Sequence, residues 1–594
     1  MITVFIGVVN VSADKAGIIK RDRNHLLRMQ PMLEKHWQIA AKISAEADAN
    51  LGKYPPFLRQ ILFNRGYADE AAATRFLAGL SLEEQDPLQL SGMPAAVERL
   101  AHAIHSGEHV VVYGDYDADG VTATALLVEC LRALGANVRP YIPDRFEEGY
   151  GLNTAALQQL AEEGAQVVVT VDCGIRALEE AAAAQALGLD LIITDHHSVG
   201  PELPTAVAII NSKLPGDEYP EKMLAGVGTA YKLAQALATH FEGSAYDPQS
   251  ALDLVAVGTV ADLVPLTGEN RWLVRQGLRR LQQPARQGFM SLMGVAGIKP
   301  NKVTAGDIGF VLGPRLNAAG RLDSALEAYK LLTTRDVFEA GKLAQDLDNR
   351  NRERQRMTRE MAELAEELAI REGEDQRLLT AVHADFNSGV VGLVASRLTE
   401  NYYRPAIVGQ HEGDYVRASC RSIAEFHITD ALQECADYFE NFGGHAAAAG
   451  FTVRAERWPE VETRLQAIAS EQLDGLDLRP TLHADLEIPL VDLKADLLNQ
   501  LALLEPTGYG NPGIKLVSRN LEVRSHRTVG KDSSHLKLAV SDGWVTYDAI
   551  AFRLGHLAQD MPKKVDLLYQ FEMNEFNGRQ SLQLNVRDLK PAAG

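Results

Sequence analysis

The sequence predicts an α/β protein with two α/β lobes joined by a long helix, followed by a small C-terminal β-barrel. Residues 109–270 alternate continuous Val/Ile runs with helical segments, which is typical of a parallel sheet covered on both faces. Residues 335–372 contain no proline and have the composition of a single long helix. Beyond about residue 478, short alternating segments separated by turns predict the strands of a small barrel.

The length fits this multidomain organisation. The chain has 594 residues, and about 150 residues per domain predicts two to four domains. In chain order we expect an N-terminal tail (1–50), a helical lead-in (51–105), a first α/β domain (106–334), a connecting helix (335–372), a second α/β domain (373–472) and a barrel domain (473–594). Residues 1–31 have no clear hydrophobic period, so they are either a frayed tail or lie upstream of a natural start at Met32.

Composition excludes several classes of protein. With 46% hydrophobic and 23% charged residues, the chain is neither disordered nor fibrous. Its net charge of −20 argues against a non-specific coating of nucleic acid, although a local basic groove is compatible with it. The four cysteines form no CxxC pair, which fits a reducing cytosol and disfavours a thiolate zinc site. Because no apolar run approaches the length of a membrane span, we expect a cytoplasmic protein without membrane contact.

Acidic and histidine residues follow apolar segments of the first α/β domain. The four motifs are GDYDADG (114–120), VDCG (171–174), TDHH (194–197) and GTVADLVPL (258–266). A single aspartate after a strand is usually a helix cap or a turn residue. Four such clusters are harder to explain in that way, because the carboxyl ends of parallel strands meet at one edge of the sheet. Crowded carboxylates repel each other unless a cation binds among them.

The ligand types indicate which metal this edge would bind. Oxygen and imidazole ligands without thiolate suit Mn²⁺ or Mg²⁺ better than a structural zinc. The carboxylates suffice for two ions, and two ions about 3.5–4 Å apart are suited to in-line displacement at phosphorus. The candidate ligands are Asp115, Asp117, Asp119, Asp172, His196 and Asp262, accompanied by Asp195 and His197.

These four motifs resemble the ordered motifs of the DHH phosphoesterase superfamily. GPRLNAAGR (313–321), SGVVGLVASR (388–397) and FGGHAAAAG (442–450) resemble further signatures of its RecJ family of single-strand-specific 5′→3′ exonucleases. The resemblance covers roughly residues 50–590. It implies a DHH domain, a DHHA1 domain, an OB-like barrel and hydrolysis of single-stranded DNA to 5′-mononucleotides in repair and recombination. It also implies a single-strand-binding protein and a RecQ-type helicase as partners, and we expect a monomer.

The resemblance implies roles for the metal-site residues. One ion would take Asp115, Asp117 and a bridging Asp172, and the other would take Asp119, Asp172, His196 and Asp262. His197 would lie beside the scissile phosphate, and Asp195 would orient the histidines. Tyr113 stands where some relatives outside the RecJ family have a histidine ligand, so the share of Asp115 in the first ion's shell stays open.

A carboxylate-rich centre repels phosphate, so cationic side chains are needed to bind the substrate. Arginine binds phosphate oxygens in a bidentate manner, and backbone amides of a glycine turn can cradle a phosphate. The candidate substrate-binding residues are Arg145, Arg315, Asn317, Arg321, Ser419, Arg421, Gly443, Gly444 and His445. In the barrel, Tyr509, Trp544, Tyr547 and Phe576 are candidates for base stacking, although each is also a plausible core residue.

Two alternative functions remain at this stage. A DHH phosphodiesterase for short oligonucleotides or cyclic dinucleotides would resemble only the two lobes, whereas this chain continues into a barrel. A catalytically inactive scaffold would have lost ligands, whereas every expected ligand is present.

Overall fold

The computed structural model describes residues 34–79, 85–145, 148–149, 151–322, 324–370, 376–576 and 578–592. Residues 1–31 and Met32, discussed above as a tail or a start site, lie outside the described residues, as does the side chain of Phe576. Among the described residues, one compact unit comprises residues 37–357 and 483–592, and the other comprises residues 34–36 and 358–482.

Short elements precede the first sheet. They are β1 (His36–Ile39), α1 (Ala45–Asn50), α2 (Pro56–Asn64), α3 (Glu70–Ala78) and α4 (Met93–Ser106). Local chemistry defines their ends. Ser44 and Asp69 accept hydrogen bonds from backbone amides of the first turns of α1 and α3, and Gly79 ends α3 in the left-handed region. The second half of the expected tail therefore contains a strand and a helix.

A five-stranded parallel sheet forms the centre of the larger unit. Its strands are β2 (His109–Gly114), β3 (Asn137–Tyr141), β4 (Val167–Val171), β5 (Asp190–Thr194) and β6 (Ala208–Ile210), in the order β3-β2-β4-β5-β6. Helices α5 (Ala118–Ala133), α6 (Thr154–Glu162), α7 (Leu178–Ala186), α8 (Gly226–His240) and α9 (Leu252–Ala261) accompany it. Separate apolar clusters include residues from alternate positions of β2 and β4, so both faces of these strands are covered. The prediction of a doubly covered parallel sheet is confirmed.

A helical segment leads from this sheet domain to the second unit. It contains α10 (Gly268–Leu281), α11 (Gln287–Ala296), α12 (Ala305–Asp307), a π-helical turn (Ile308–Leu312), α13 (Gly313–Leu322), α14 (Leu326–Thr333) and α15 (Val337–Ile370). The 34-residue α15 is the predicted long helix. The boundary between the two units falls between residues 357 and 358, so α15 contributes to both.

The smaller unit is built on a mixed five-stranded sheet. Its elements are β7 (Leu379–His383), α16 (Val391–Tyr402), β8 (Ala406–Glu412), β9 (Tyr415–Arg421), α17 (Ile428–Gln433), β10 (Phe439–His445), β11 (Ala448–Arg454) and α18 (Trp458–Leu473). The strand order is β10-β11-β9-β8-β7, with only β7 and β8 parallel. This unit is the second α/β lobe.

The C-terminal region closes into a barrel. After β12 (Thr481–Ala484), β13 (Leu486–Glu487) and α19 (Ala495–Ala502) come β14 (Leu516–Val529), β15 (His535–Ser541), β16 (Thr546–Ala551), β17 (Lys564–Phe576) and β18 (Arg579–Pro591). The strands pair in the order β14-β15-β16-β18-β17, and β17 also pairs with β14, which closes the sheet. The predicted OB-like barrel is therefore confirmed as a closed five-stranded barrel.

The barrel shares its core with the helical lead-in. Leu58, Ile61 and Leu62 of α2 belong to the same buried cluster as Leu516 and Leu567 of the barrel. Polar contacts support this packing, because Asn64 Nδ2 donates to the Asp485 carbonyl at 2.8 Å. In the part of the chain that the structure describes, no helix is long and apolar enough to cross a membrane.

Candidate metal centre

The predicted acidic motifs lie at the carboxyl ends of neighbouring strands. Asp115 directly follows β2, Asp172 follows β4, and Asp195 and His196 follow β5. β3 lies outside β2 in the sheet, so β2, β4 and β5 are adjacent, and the strand order reverses between β2 and β4. Ligands of open α/β sheets bind at such a reversal.

The first motif turns directly into a helix. Asp117 caps α5 by accepting hydrogen bonds from the amides of Asp119 at 2.8 Å and Gly120 at 3.1 Å. Asn317 Oδ1 accepts another from the Ala118 amide at 2.6 Å. Four orphan amides begin every helix, and these contacts satisfy three of those at the start of α5. These hydrogen bonds tie the motif to the start of α5 and to Asn317 of α13.

Asp119 is held by a second helix. Its carboxylate oxygens accept hydrogen bonds from the Gly226 amide at 2.6 Å and the Val227 amide at 2.8 Å, both at the N-terminus of α8. The positive end of that helix favours a negative charge at this point. The location of Asp119 is thus set by the start of α8.

The predicted ligands come together in three groups. Within each group, ligand atoms lie within 4.8 Å of one another. The groups are Asp115–Asp117–Asp172, Asp119–His196–Asp262 and Asp172–His196–His197. The first and second match the two ligand sets implied by the family resemblance, apart from the share of Asp172 in the second. The structure therefore brings every predicted ligand into one cluster.

The buried atoms of this cluster fit divalent cations. Among the described residues, Asp115 Oδ1, Asp172 Oδ1 and both ring nitrogens of His196 are buried without a hydrogen-bond partner. His196 Nε2 lies 3.0 Å from Asp172 Oδ1 and 3.6 Å from Asp262 Oδ2. Buried polar atoms normally find partners, so orphaned carboxylate and imidazole atoms directed at one another are those that a metal would satisfy.

The pKa values of these side chains show how strongly the clustered carboxylates repel each other. Burial, followed by the charge of Asp117, raises the pKa of Asp119 to about 7. Burial and the charge of Asp119 raise the pKa of Asp262 to about 9 and that of Asp172 well above its usual range. Burial and the neighbouring His197 lower the pKa of His196 to about 3, which keeps its imidazole neutral at neutral pH. A bound cation would relieve this mutual repulsion.

Asp195 organises the two histidines through hydrogen bonds. Its Oδ1 accepts from the amides of His196 at 2.7 Å and His197 at 3.0 Å and lies 2.8 Å from His197 Nδ1, while its Oδ2 accepts from the Ile175 amide. Burial would lower the pKa of His197, but the hydrogen bond and charge of Asp195 outweigh it and raise that pKa. Asp195 is therefore placed to orient the imidazole and stabilise its cationic form.

Glycines make room for the carboxylates. A Cβ added to Gly226 would lie 2.6 Å from Asp172 Oδ1, and one added to Gly258 would lie 2.7 Å from Asp119 Oδ1. Asp172 itself has a φ of 64°, which is uncommon for a residue with a side chain. Close approach and an uncommon backbone conformation therefore coincide at the centre of the cluster.

Arginine side chains of the larger unit lie near the GDYDADG part of this cluster. The Arg145 guanidinium lies 5.1 Å from the ring centroid of Tyr116, within the GDYDADG motif. Burial, with the charges of Arg145 and Arg354, lowers the pKa of Arg321 to about 10. Like charges gathered in this way favour a polyanionic ligand. The charges of Arg145 and Asp115, and those of Arg321 and Asp117, thus act on each other, and Arg354 of α15 lies near Arg321.

Arg315 and Asn317 have clear structural contacts. Arg315 Nε and Nη2 contact Asp348 Oδ1 of α15 at 3.0 and 2.9 Å. Asn317 caps α5, as described above. Arg315 and Asn317 therefore each stabilise an element of the site, independently of any contact with a substrate.

The other predicted substrate residues lie in the smaller unit. In this sheet, Gly450 of β11 pairs with Ser419 of β9 on one side and with Gly443 of β10 on the other. Ala448 of β11 pairs in the same way with Arg421 and with His445, and His445 follows Gly444 in the chain. Arg421 Nη1 donates to Ser419 Oγ at 3.1 Å. A Cβ on Gly392 would lie 3.0 Å from Arg421 Nη2, so this glycine lets α16 approach the pair. These residues therefore form one patch on one sheet.

Sequence reasoning missed three groups at the metal centre. The amides of Gly226 and Val227 hold Asp119, and Lys213 Nζ donates to the His196 carbonyl, with its charge acting on Asp262. Lys213 follows β6 in the segment INSK, and this position at the end of a strand could have identified it from the sequence. The two amides carry no signal in side-chain chemistry.

Comparison with known domain families agrees with this geometry. The model of the DHH family N-terminal domain matches residues 109–259, that of the DHHA1 domain matches residues 375–472, and that of the RecJ OB domain matches residues 484–588. The fold and the acidic cluster thus define a DHH-family protein with a metal-dependent site.

Full-length relatives specify the family further. The single-stranded-DNA-specific exonuclease RecJ of Bacillus subtilis is 40% identical over 90% of this chain and 68% of its own length. The RecJ structure from Thermus thermophilus in complex with Mn²⁺ has a TM-score of 0.81 and 29% identity, covering 94% of this chain and 80% of that one. The Mg²⁺ complex of the same protein has a TM-score of 0.75. The chain belongs to the RecJ family of single-stranded-DNA-specific exonucleases, so the resemblance noted in the sequence is confirmed.

Proposed function

We propose that this chain hydrolyses single-stranded DNA from a free 5′ end and releases 5′-mononucleotides. The observation that supports this most is the convergence of three ligand groups at the reversal point of the parallel sheet, in a chain of the RecJ family. The closed barrel supports a polymeric substrate, because barrels of this class bind single strands along a groove.

The residues present would hold two Mn²⁺ or Mg²⁺ ions. Asp115, Asp117 and Asp172 would hold one, and Asp119, His196 and Asp262 the other, with Asp172 shared. Such ions activate a water and neutralise charge developing at phosphorus. The protein's own part is to fix these ligands through the caps of α5 and α8 and to exclude other conformations.

His197 is proposed to act at the phosphate itself. Its Nδ1 is engaged by Asp195, so Nε2 is the atom proposed to meet the scissile phosphate or the leaving oxygen. Because its pKa is raised, the ring carries a proton over more of the neutral range than an isolated histidine. It would stabilise negative charge or donate that proton.

The arginines are proposed to hold the strand. Arg145 and Arg321, next to the metal cluster, would contact phosphates near the scissile bond. In the smaller unit, Ser419, Arg421 and His445, with the amides of Gly443 and Gly444, would bind backbone phosphates. Arg315 and Asn317 would contribute while keeping their structural contacts.

A labelled-substrate experiment tests the proposal. Single strands and blunt duplexes carrying a label at either end are incubated with Mn²⁺, Mg²⁺ or chelator, and the products are identified. We expect 5′-mononucleotides from single strands in either metal and none in chelator. Preference for 3′ ends, equal attack on duplex, or activity restricted to dinucleotides would each contradict the proposal.

We further infer a monomeric, cytoplasmic enzyme that works with a single-strand-binding protein and a RecQ-type helicase. Sedimentation of the purified chain tests the first point, since a dimer at micromolar concentration would contradict it. Degradation of duplex only when such a helicase is added would support the last.

A further inference from the structure

The start of α10 is a buried junction of three consecutive polar residues. Glu269, Asn270 and Arg271 are 6%, 0% and 2% exposed. Glu269 accepts a hydrogen bond from Tyr219 and pairs with Lys232 of α8. Arg271 donates to the carbonyls of Leu504 and Pro506, in the segment before the barrel. Asn270 lies between them and contacts segments that support the metal centre.

The Asn270 amide joins two segments that carry metal-site groups. Its Nδ2 donates to the Met223 carbonyl at 2.5 Å and to the Pro265 carbonyl at 3.2 Å. Met223 precedes by three residues the Gly226 amide that holds Asp119. Pro265 follows Asp262 by three residues.

Both segments contain exposed as well as buried residues. Pro265 has no amide hydrogen, and the Leu263 side chain is 69% exposed with a φ of 60°. The Met223 side chain is 41% exposed. Leu224, between Met223 and Gly226, is buried, as are Val264 and Leu266 on either side of Pro265. Packing therefore holds each segment, while the Asn270 amide bonds one segment to the other.

We propose that Asn270 is a positioning residue that sets the separation of Asp119 and Asp262, and hence the affinity of the Asp119–His196–Asp262 group for its metal ion. Asp119 depends on the start of α8, and Asp262 ends α9, so a shift of either segment moves one ligand relative to the other. Groups that orient metal ligands typically contribute about 10–100-fold to metal affinity. This inference rests on the proposed function of that group as a metal site.

A matched control exists within the same unit. Asn511 is 1% exposed, and its Nδ2 donates to the carbonyls of Leu504 and Pro506, both at 2.9 Å. Like Asn270, it is a buried amide bonded to two backbone carbonyls, and the Oδ1 of each has no hydrogen-bond partner among the described residues. These two bonds of Asn511 stay within residues 504–511, a segment that carries no predicted metal ligand. Replacing either asparagine by alanine thus removes the same kind of interaction.

The experiment compares Asn270→Ala and Asn511→Ala in the full-length, metal-free protein. Mn²⁺ affinity is measured by calorimetry, thermal stability by circular dichroism, and single-strand binding by anisotropy. We expect both variants to lose stability, whereas only Asn270→Ala weakens Mn²⁺ binding, by about tenfold or more, with single-strand affinity in the absence of metal unchanged. If Asn270→Ala does not fold, Asn270→Ser, which keeps one donor, is compared with Asn511→Ser.

Two outcomes separate failure of this inference from failure of the proposed function. Equal Mn²⁺ affinity in both asparagine variants would overturn the positioning role. Retention of Mn²⁺ binding at both sites by Asp119→Ala and Asp172→Ala would instead overturn the metal centre on which it rests.

Discussion

The metal cluster and the glycine-rich patch of the smaller unit arrange their polar groups in opposite ways. Asp115, Asp119 and Asp172 are almost fully buried; two backbone amides hold Asp119, and Gly226 packs directly against Asp172. Gly443, Gly444 and His445 lie on the edge strand β10, where Gly444 and His445 are exposed. Under the proposed function, the buried anionic centre would hold the metal ions, and the exposed patch, with Arg421, would hold the strand.

The strongest test of this contrast removes the carboxylate at its centre. Asp172 belongs to two of the three ligand groups, so Asp172→Ala should abolish turnover while the fold remains intact. A metal ion contributes several kcal/mol of charge stabilisation, so we expect kcat to fall by roughly 10³-fold or more. Steady-state kinetics with circular dichroism checks this. Near-normal activity at saturating Mn²⁺ would contradict the two-ion interpretation.

A second test asks whether close packing makes the anionic centre rigid. In Gly226→Ala, the new methyl group would collide with Asp172, whereas in Gly228→Ala it would meet Leu224 at an ordinary 3.4 Å. Both changes replace a glycine by alanine within the first turn of α8. We expect Mn²⁺ affinity, measured by calorimetry, to fall about 10–100-fold in Gly226→Ala alone. The same loss in both variants would show that the contact with Asp172 is not the cause.

The third test concerns the cationic patch. Arg421→Ala should weaken single-strand binding by about tenfold, as expected for a charged hydrogen bond to phosphate, and flatten its salt dependence by roughly one unit of slope. Mn²⁺ affinity should not change. Arg417 is an exposed arginine on the same strand, β9, four residues earlier, so Arg417→Ala removes the same charge from outside the patch. Anisotropy across a salt series checks the pair, and equal effects would reduce the patch to general electrostatics.

The smallest expected effect lies in the barrel. Trp544 is 86% exposed on a turn fixed by hydrogen bonds to Asp542, which suits a ring that stacks on bases. Stacking contributes roughly 1–3 kcal/mol per base, so Trp544→Ala should weaken binding of long strands about fivefold. Phe552→Ala, whose ring is engaged with His535, serves as the control. If Trp544→Ala weakens the binding of strands too short to reach the barrel as much as that of long strands, the proposed stacking role of Trp544 is wrong.

The sequence predicted the fold and the cluster where short-range rules apply. Asp115, Asp172 and Asp195 follow apolar strands, and parallel strands place their carboxyl ends on one edge, so local pattern predicts that all three lie at that edge. The placement of β3 at the sheet's outer edge, which makes β2, β4 and β5 neighbours, depends on crossover order and has no local signature.

Long-range contacts were the part that the sequence did not predict. Asn270 joins segments near residues 223 and 265, and Gly226 supplies an amide rather than a side chain. Hydrogen bonds between backbone groups and distant side chains leave no periodicity and no motif. Likewise, nothing in residues 51–77 indicates that their apolar face packs with a barrel more than 400 residues later.

That shared core also bears on how the chain is made. The Trp37 indole donates to Asp588, a separation of 551 residues, and at about 5–20 residues per second the ribosome needs roughly 30–110 s between the two. Until the barrel has been synthesised, the apolar face of α2 has no barrel residues to pack against. We expect a nascent chain that stops before the barrel to leave this surface exposed and so to be bound by chaperones or degraded.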